Sequence, residues 1–561
     1  MPAFTVRQAP AKALEALTHS GLSPLLARIF ASRSVIEKEQ LATVLDKLHA
    51  PHTMLNLPSM ALLLADAVAA RKKLLIVADY DADGATACAV GLRALRAMGA
   101  VVDYLVPNRF EYGYGLTPEI VQLAAREKSP DVIITVDNGI ASVDGVAEAN
   151  RLGLKVLITD HHLPGDTLPD AWCIINPNQA GCPFPSKNLA GVGVMFYLML
   201  ALRAVLRERG MQQLPNLAHL LDLVALGTVA DVVRLDANNR ILVQHGLQRI
   251  RTGRAQPGIT ALLRVAKRDP ARASTYDMGF AIGPRLNAAG RLTDMSLGIE
   301  CLTTDDATRA QTIANELDAL NRERRSIEAD MQESALAALE LTPDAASYTI
   351  SLYDPQWHQG VIGIVASRLK DKFHRPAVAF ARGAEGEIKG SARSIHGLHL
   401  RDALDILSKR EPGLILKFGG HAAAAGLTLR EVDYEKFQTG FEAVARTLLA
   451  PADLDREIET DGSLPVEHAT LNIALELQDG IWGQGFPEPR FLDAFEVVQQ
   501  RVVGERHLKL RLRRDGRIFE GILFGHNEPL PETINAAYRF SVNEYNGMQT
   551  TQVVVDHWEP L

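Results

Sequence analysis

The chain has 561 residues, too many for one hydrophobic core, and length alone predicts about three or four domains at ~150 residues each. Hydrophobic residues make up 47% and charged residues 22%, the composition of a soluble globular protein rather than a disordered one. A formal charge of −8 excludes a globally basic nucleic-acid coat, so any such surface has to be local, and four cysteines with no CxxC pair exclude a zinc ribbon or a disulfide scaffold.

The first residues, MPAFTVRQAPAK, lack the apolar region of a signal peptide, and a reducing cytoplasm is the expected compartment. Residues 1–54 read as short amphipathic helices forming a cap. An α/β unit follows over residues 55–303. It opens with 74–84, LLIVADYDADG, an apolar strand followed by Asp79, Asp81 and Asp83 at alternate positions. An extended chain would aim all three acids to one side, with a helix then running over residues 85–98. The pattern recurs at 131–139, DVIITVDNG, ending on Asp137, and at 155–162, KVLITDHH, ending on Asp160, His161 and His162. Helical stretches at 117–128 and 143–152 separate these strands, which predicts a parallel sheet with its ligand crevice off the carboxyl ends. Residues 189–202 are too short an apolar run for a membrane span and read as a buried helix. In LDLVALGTVADVVRL (221–235), Asp231 is presented after a Gly-Thr pair, whereas Asp222 lies ahead of the apolar run and reads as a helix-start or packing residue.

Residues 304–342 read as one long charged connector helix. A second α/β unit spans 343–452. Residues 453–561 lose helical periodicity and read as all-β. In 503–524, VGERHLKLRLRRDGRIFEGILF, Asp515-Gly516 marks a hairpin turn, and Lys509, Arg511 and Arg513 alternate with leucines as a positive stripe. A small barrel with such a face suits single-stranded nucleic acid, although an ordinary solvated strand face has the same pattern.

Asp79, Asp81, Asp83, Asp137, His161, His162 and Asp231 form a mixed carboxylate and imidazole set, which suits Mn²⁺ or Mg²⁺ better than structural zinc. Clustered carboxylates repel one another unless a cation sits among them, and this many candidates points to two ions ~3.5–4 Å apart. Two-metal sites stabilise the attacking and leaving oxygens in phosphoryl transfer.

DYDADG, VDNG, DHH and GTVAD resemble, in order, the motifs of the DHH phosphoesterase superfamily. SARS and GGHAAAAG resemble its associated second, DHHA1-type domain. With the C-terminal OB-like β-domain, the resemblance covers residues 55 to the end and is to the superfamily's single-strand-specific 5′→3′ DNA exonucleases. That resemblance implies release of 5′-mononucleotides in recombination and repair, two ions (Mn²⁺ or Mg²⁺), a monomeric clamp of two domains, and partners such as a single-strand-binding protein and a helicase. It implies Asp81, Asp83, Asp137, His161, His162 and His421 as catalytic residues and the seven acids and histidines above as metal ligands. Val77 stands where many relatives carry a metal-binding histidine, so Asp79 either takes over that ligation or does not bind directly. His162 acts either on a metal or on the scissile phosphate. Arg109, Arg285, Arg291, Ser391 and Arg393 are implied phosphate contacts, with Gly419 and Gly420 admitting backbone N–H groups and Asn287 orienting Arg285 or touching sugar. Tyr112 and Tyr114 either stack bases or anchor their loop, and His358 is either a core or a domain-contact residue.

Two other readings compete. A phosphodiesterase of short oligonucleotides or cyclic dinucleotides, or a pyrophosphatase, needs no basic β-domain. A non-enzymatic replication scaffold would have lost its metal ligands.

Overall fold

The computed structural model describes residues 3–108, 112, 115–340, 347–384, 386–545 and 547–561. Two compact units divide the chain: Val6–Leu320 with Thr460–Leu561, and Met1–Thr5 with Asn321–Glu459. The N-terminal cap is not purely helical, because strand β1 (Ala3–Val6) precedes helices Ala11–His19 and Pro24–Ala31.

The larger unit is built on β2 (Lys73–Ala78), β3 (Val101–Leu105), β4 (Val132–Val136), β5 (Lys155–Thr159) and β6 (Cys173–Ile175). They form one sheet in the order β3-β2-β4-β5-β6, and every pairing is parallel. Residues 74–78 of β2 and all of β4 are buried, as unbroken apolar runs must be in a sheet covered on both faces. Parallel order sends every carboxyl end to the same edge.

The apolar run at 189–202 lies in a helix, Gly191–Glu208, packed in the main core. Helices Leu221–Ala230 and Ala237–Arg251 follow. A π-helical segment, Asp277–Ile282, passes directly into helix Gly283–Leu292. The long helix spans Ala307–Glu340. Ala310, Ile313, Ala314 and Leu317 belong to the core of the larger unit, and Met331 and Ala335 to a core of the smaller one.

In the smaller unit, β7 (Ile350–Tyr353), β8 (Ala377–Arg382), β9 (Glu387–Arg393), β10 (Ile415–Gly420) and β11 (Ala424–Arg430) make a mixed sheet in the order β10-β11-β9-β8-β7. β1 pairs with β12 (Glu457–Thr460) in a separate two-stranded sheet.

β13 (Phe491–Val503), β14 (His507–Arg514), β15 (Arg517–Leu523), β16 (Thr533–Tyr545) and β17 (Met548–Pro560) close into a barrel, β13-β14-β15-β17-β16. Asp515 and Gly516, at φ +50° and +74°, make the β14–β15 turn, the positive-φ pair that a two-residue hairpin loop favours. The C-terminal region is not all-β: helix Leu471–Asp479 buries Ala474 and Leu477. The segment leading into the barrel is bolted to the N-terminal helices. Phe30, Trp482 and Phe486 stack with centroids 5.4–6.2 Å apart. Arg33 makes bonds of 2.6 and 2.9 Å to the two buried carboxylate oxygens of Asp461.

Candidate metal centre

The acid-rich loop after β2 is not an extended strand. β2 stops at Ala78, and a helix, Ala82–Ala97, begins three residues earlier than the sequence pattern suggests. Asp81 is its N-cap, with Oδ1 accepting the N–H groups of Asp83 (2.9 Å) and Gly84 (3.0 Å). That capping is what starts the helix early. Asp83 therefore sits in the first helical turn and points elsewhere. Its two carboxylate oxygens accept the N–H groups of Gly191 (2.6 Å) and Val192 (2.9 Å), the free donors of another helix N-terminus. Gly84 lies against the backbone of Asp79, where a Cβ would meet the carbonyl oxygen at 2.5 Å.

Asp137 follows β4 with φ +62°, buried, its N–H donating to Thr159 O at 3.1 Å. After β5, the buried Asp160 accepts through Oδ1 from the N–H groups of His161 (2.7 Å) and His162 (3.0 Å) and contacts His162 Nδ1 at 2.7 Å. Oδ2 accepts from the Ile140 N–H at 2.9 Å. Asp160 orients the histidine pair. Asn176 and Asn178 brace the same loop by donating to the carbonyls of His162 (2.8 Å) and His161 (2.6 Å). His161 Nε2 stands 3.0 Å from Asp137 Oδ1, 3.4 Å from Asp231 Oδ2 and 3.9 Å from Asp83 Oδ2. Asp231 reaches the cluster from the C-terminal end of helix Leu221–Ala230 rather than from a strand.

All seven sequence-predicted ligands converge. They form three overlapping groups, Asp137–His161–His162, Asp83–His161–Asp231 and Asp79–Asp81–Asp137, each with ligand atoms within 4.8 Å of one another. The electrostatics call for a cation. Burial, then the neighbouring Asp81, pushes the Asp83 carboxyl up to about 7, against the pull of the two helix N–H groups. Burial and the surrounding carboxylates raise Asp137 and Asp231 as well. Burial alone would lower His162, but the contact with Asp160 overrides it and lifts the imidazole to about 9, while Asp160 is held low. Oxygen donors with two imidazoles, crowded into mutual repulsion, fit one or two hard divalent ions.

The model of the DHH family, N-terminal domain, matches residues 73–228, that of the DHHA1 domain residues 345–448, and that of the RecJ OB domain residues 460–557. The single-stranded-DNA-specific exonuclease RecJ of Dickeya dadantii is 50% identical over 558 residues, 96% of each chain. This chain belongs to the RecJ family. The crystal structure of RecJ from Thermus thermophilus in complex with Mn²⁺ superposes with a TM-score of 0.84 at 31% identity, covering 100% of this chain and 80% of that one. The same protein in complex with Mg²⁺ gives a TM-score of 0.79 at 29% identity, covering 100% and 78%.

Beyond the metal loop, several residues predicted as substrate contacts in this RecJ-family chain are engaged in contacts within the chain. Arg285 is buried, donating from Nε (2.9 Å) to Asp318 on the long helix and from Nη1 (2.6 Å) to Ala281 O. Its guanidinium ties two helices together instead of facing outward. The Oδ1 of Asn287 accepts the Ala82 N–H at 2.7 Å, capping the helix beside Asp81. Arg291 is half-buried at the end of the same helix. The basic stripe of β14 is exposed, but acids on the adjoining strands face it. Lys509 and Arg511 lie 3.8 and 3.4 Å from Glu520, and Arg513 bonds Glu496. Register explains the pairing, since Arg511 is opposite Glu520 and Arg513 opposite Glu496. The stripe is thus a mixed-charge face, not a purely positive one.

In the smaller unit, Gly419 on β10 pairs with Gly426 on β11, which pairs with Ser391 on β9. Arg393 donates to Ser391 Oγ at 3.1 Å, and Gly363 leaves that pair room, because a Cβ there would come within 2.9 Å of each. Gly420 has φ +149°, and a Cβ would meet Ala424 O at 2.4 Å, so only glycine fits before the exposed His421. His358 Nδ1 accepts the Gly360 N–H at 3.1 Å. Tyr112 packs, half-buried, against the core cluster that includes Leu116 and Ile120, and Arg109 and Tyr114 lie outside the described residues.

What residue-type reasoning did not assign is the supporting role of Asp160, Asn287 and the Gly191 N-terminus. Asp160 alone carries a local signal, directly before the two histidines.

Proposed function

We propose that this chain is a single-stranded-DNA-specific exonuclease that degrades 5′→3′ and depends on divalent metal. The observation that carries this reading is the convergence of seven ligand side chains at the carboxyl edge of the sheet, in a chain of the RecJ family with its barrel on the same unit. Asp79, Asp81, Asp83, Asp137, His161, His162 and Asp231 would hold one or two ions, Mn²⁺ or Mg²⁺. When bound, these supply positive charge to the scissile phosphate and the departing oxygen. The chain's own part is rigidity. Asp81 and Asn287 cap the loop, Asp83 ties it to a second helix, and Asp160 sets the ring of His162.

On the smaller unit we assign phosphate contacts to Ser391, Arg393 and the Gly419–Gly420 backbone, with His421 contributing to cleavage. A role in recombination and repair, contact with a single-strand-binding protein and a helicase, and residence in the reducing cytoplasm belong to the same proposal. The four free cysteines accord with that compartment. Among the described residues, no helix is long and apolar enough to cross a membrane.

The test is a single-stranded oligonucleotide labelled at its 3′ end, with Mn²⁺ or Mg²⁺, beside its duplex. The expected result is a ladder shortening from the 5′ end, absent on duplex and lost in Asp81→Ala, His161→Ala and His421→Ala proteins. Intact DNA beside hydrolysed dinucleotide would replace the substrate. A protein that neither cuts nor binds metal would be a scaffold.

A further inference from the structure

The metal centre has a neighbour that neither the ligand set nor the family motifs use. Tyr276 and Phe280 stack with ring centroids 4.8 Å apart and planes inclined by 27°, yet they are 55% and 66% exposed. A paired aromatic surface left in water loses the burial that usually stabilises such rings, so the arrangement asks for an occupant. The pair is built, not frayed. It rises from the π-helical turn Asp277–Ile282, whose opposite side sinks Met278 and Ile282 into the core at 1% and 0% exposure. Asp277 Oδ2 pins the turn by accepting from the Ser274 N–H (3.0 Å) and hydroxyl (2.9 Å).

Its position connects it to the chemistry. The π-turn lies on the helix that ends in Asp231: a Cβ on Gly279 would touch Val229 at 3.5 Å, and one on Gly283 would touch Ala230 at 3.3 Å. The helix that continues from it carries Asn287, the cap beside Asp81. On its other side the segment bonds Trp482 O, ahead of the barrel, through Thr275 (2.8 Å) and reaches the barrel itself through Arg272 to Glu544 on β16 (2.6 Å). Arg268 lies 5.8 Å from the Tyr276 ring centre, a cation beside the π surface.

We propose that the Tyr276–Phe280 pair is a stacking platform for a nucleobase of single-stranded DNA passing between the barrel and the metal centre. Every base has a π-face, so such a platform grips without reading sequence, as a nuclease that has to advance along any strand requires. The inference rests on the exonuclease reading, which supplies the strand.

The test compares binding of a short oligothymidylate with binding of the same backbone carrying abasic sites, using the full chain in EDTA, with cleavage of a single strand followed in parallel. The wild-type protein is expected to prefer the base-bearing strand by roughly 5- to 150-fold, the effect of one stacked base. Tyr276→Ala and Phe280→Leu should abolish most of that preference and raise KM more than they lower kcat. Phe280→Trp should keep it. Leucine preserves apolar bulk and fold, so a loss there reports the ring face and not unfolding. If Tyr276→Ala and Phe280→Leu discriminate like wild type while still cutting single strands, the platform is refuted and the exonuclease stands; a pair that serves a protein partner would give that result. If wild type neither binds nor cuts single-stranded DNA, both readings fall.

Discussion

Gly191→Ala tests the closeness on which the metal centre depends. Gly191 opens helix Gly191–Glu208 and donates its N–H to Asp83 Oδ2 at 2.6 Å. A Cβ at this position would stand 2.7 Å from Asp137 Cβ, 2.9 Å from its Oδ1 and 3.0 Å from its Cα. Carbon atoms pack best at about 3.5–4.0 Å, so alanine forces the helix and Asp137 apart by roughly 0.8 Å. Asp137 has little room to yield, being buried, held in the left-handed region at φ +62° and bonded to Thr159 O. Overpacking of this kind costs about 1–3 kcal/mol of stability. The larger effect falls on the site. Asp137 belongs to two of the three ligand groups, and metal–ligand distances tolerate only about 0.2 Å. Activity is expected to fall about 100-fold, the scale for a misplacement near 1 Å. Gly193→Ala is the control. Its Cβ would meet the Leu189 side chain alone, nearest at the terminal Cδ2 at 3.0 Å, and alanine's gain in helix propensity, about 1 kcal/mol, offsets that contact. Urea unfolding, Mn²⁺ calorimetry and exonuclease rates measure each part. A Gly191→Ala protein that binds Mn²⁺ and cuts like wild type would show that the site does not depend on this contact.

Asp461→Ala strands the buried Arg33 guanidinium and is expected to cost about 3–5 kcal/mol, much of it recovered by the double variant Arg33→Met/Asp461→Leu. Equal unfolding midpoints for wild type and the single variant would contradict this. Asn287→Ala removes the bond to the Ala82 N–H, and a loss of about 1 kcal/mol in stability together with weaker Mn²⁺ binding is predicted. Unchanged Mn²⁺ affinity would leave Asn287 with a purely structural role. Burial raises the Asp222 carboxyl, with the Gln256 N–H (2.6 Å) and Arg249 opposing. The folded chain therefore holds that proton more tightly than the unfolded one. Its contribution to stability is present below the unfolded carboxylate value near ~4 and is lost as pH rises through the raised folded value. Relative to Asp222→Asn, wild-type stability should decline between acid and neutral pH, and a flat difference in urea midpoints would refute the assignment.

The sequence by itself determined the chemistry of the centre and the order of the domains, because those signals are local. Apolar runs ending in acids specify a buried parallel strand and what stands at its carboxyl end. Asp-Gly specifies a hairpin turn within two residues. Alternating Leu and Lys/Arg specifies which side of β14 is buried. What only the tertiary structure decided depends on contacts between residues far apart in the chain. The Asp83 carboxylate is tied to N–H groups 108 and 109 positions away, and Asn287 caps a residue 205 positions away. The sequence names Arg285 a phosphate contact, and only the fold shows that Asp318, 33 positions away, takes its guanidinium. The stripe Lys509, Arg511 and Arg513 looks positive until sheet register sets Glu520 and Glu496 opposite it. A charged or polar side chain is chemically ready for several partners. Its residue type limits that choice, and packing, which brings one partner within about 3 Å and buries the pair, makes it.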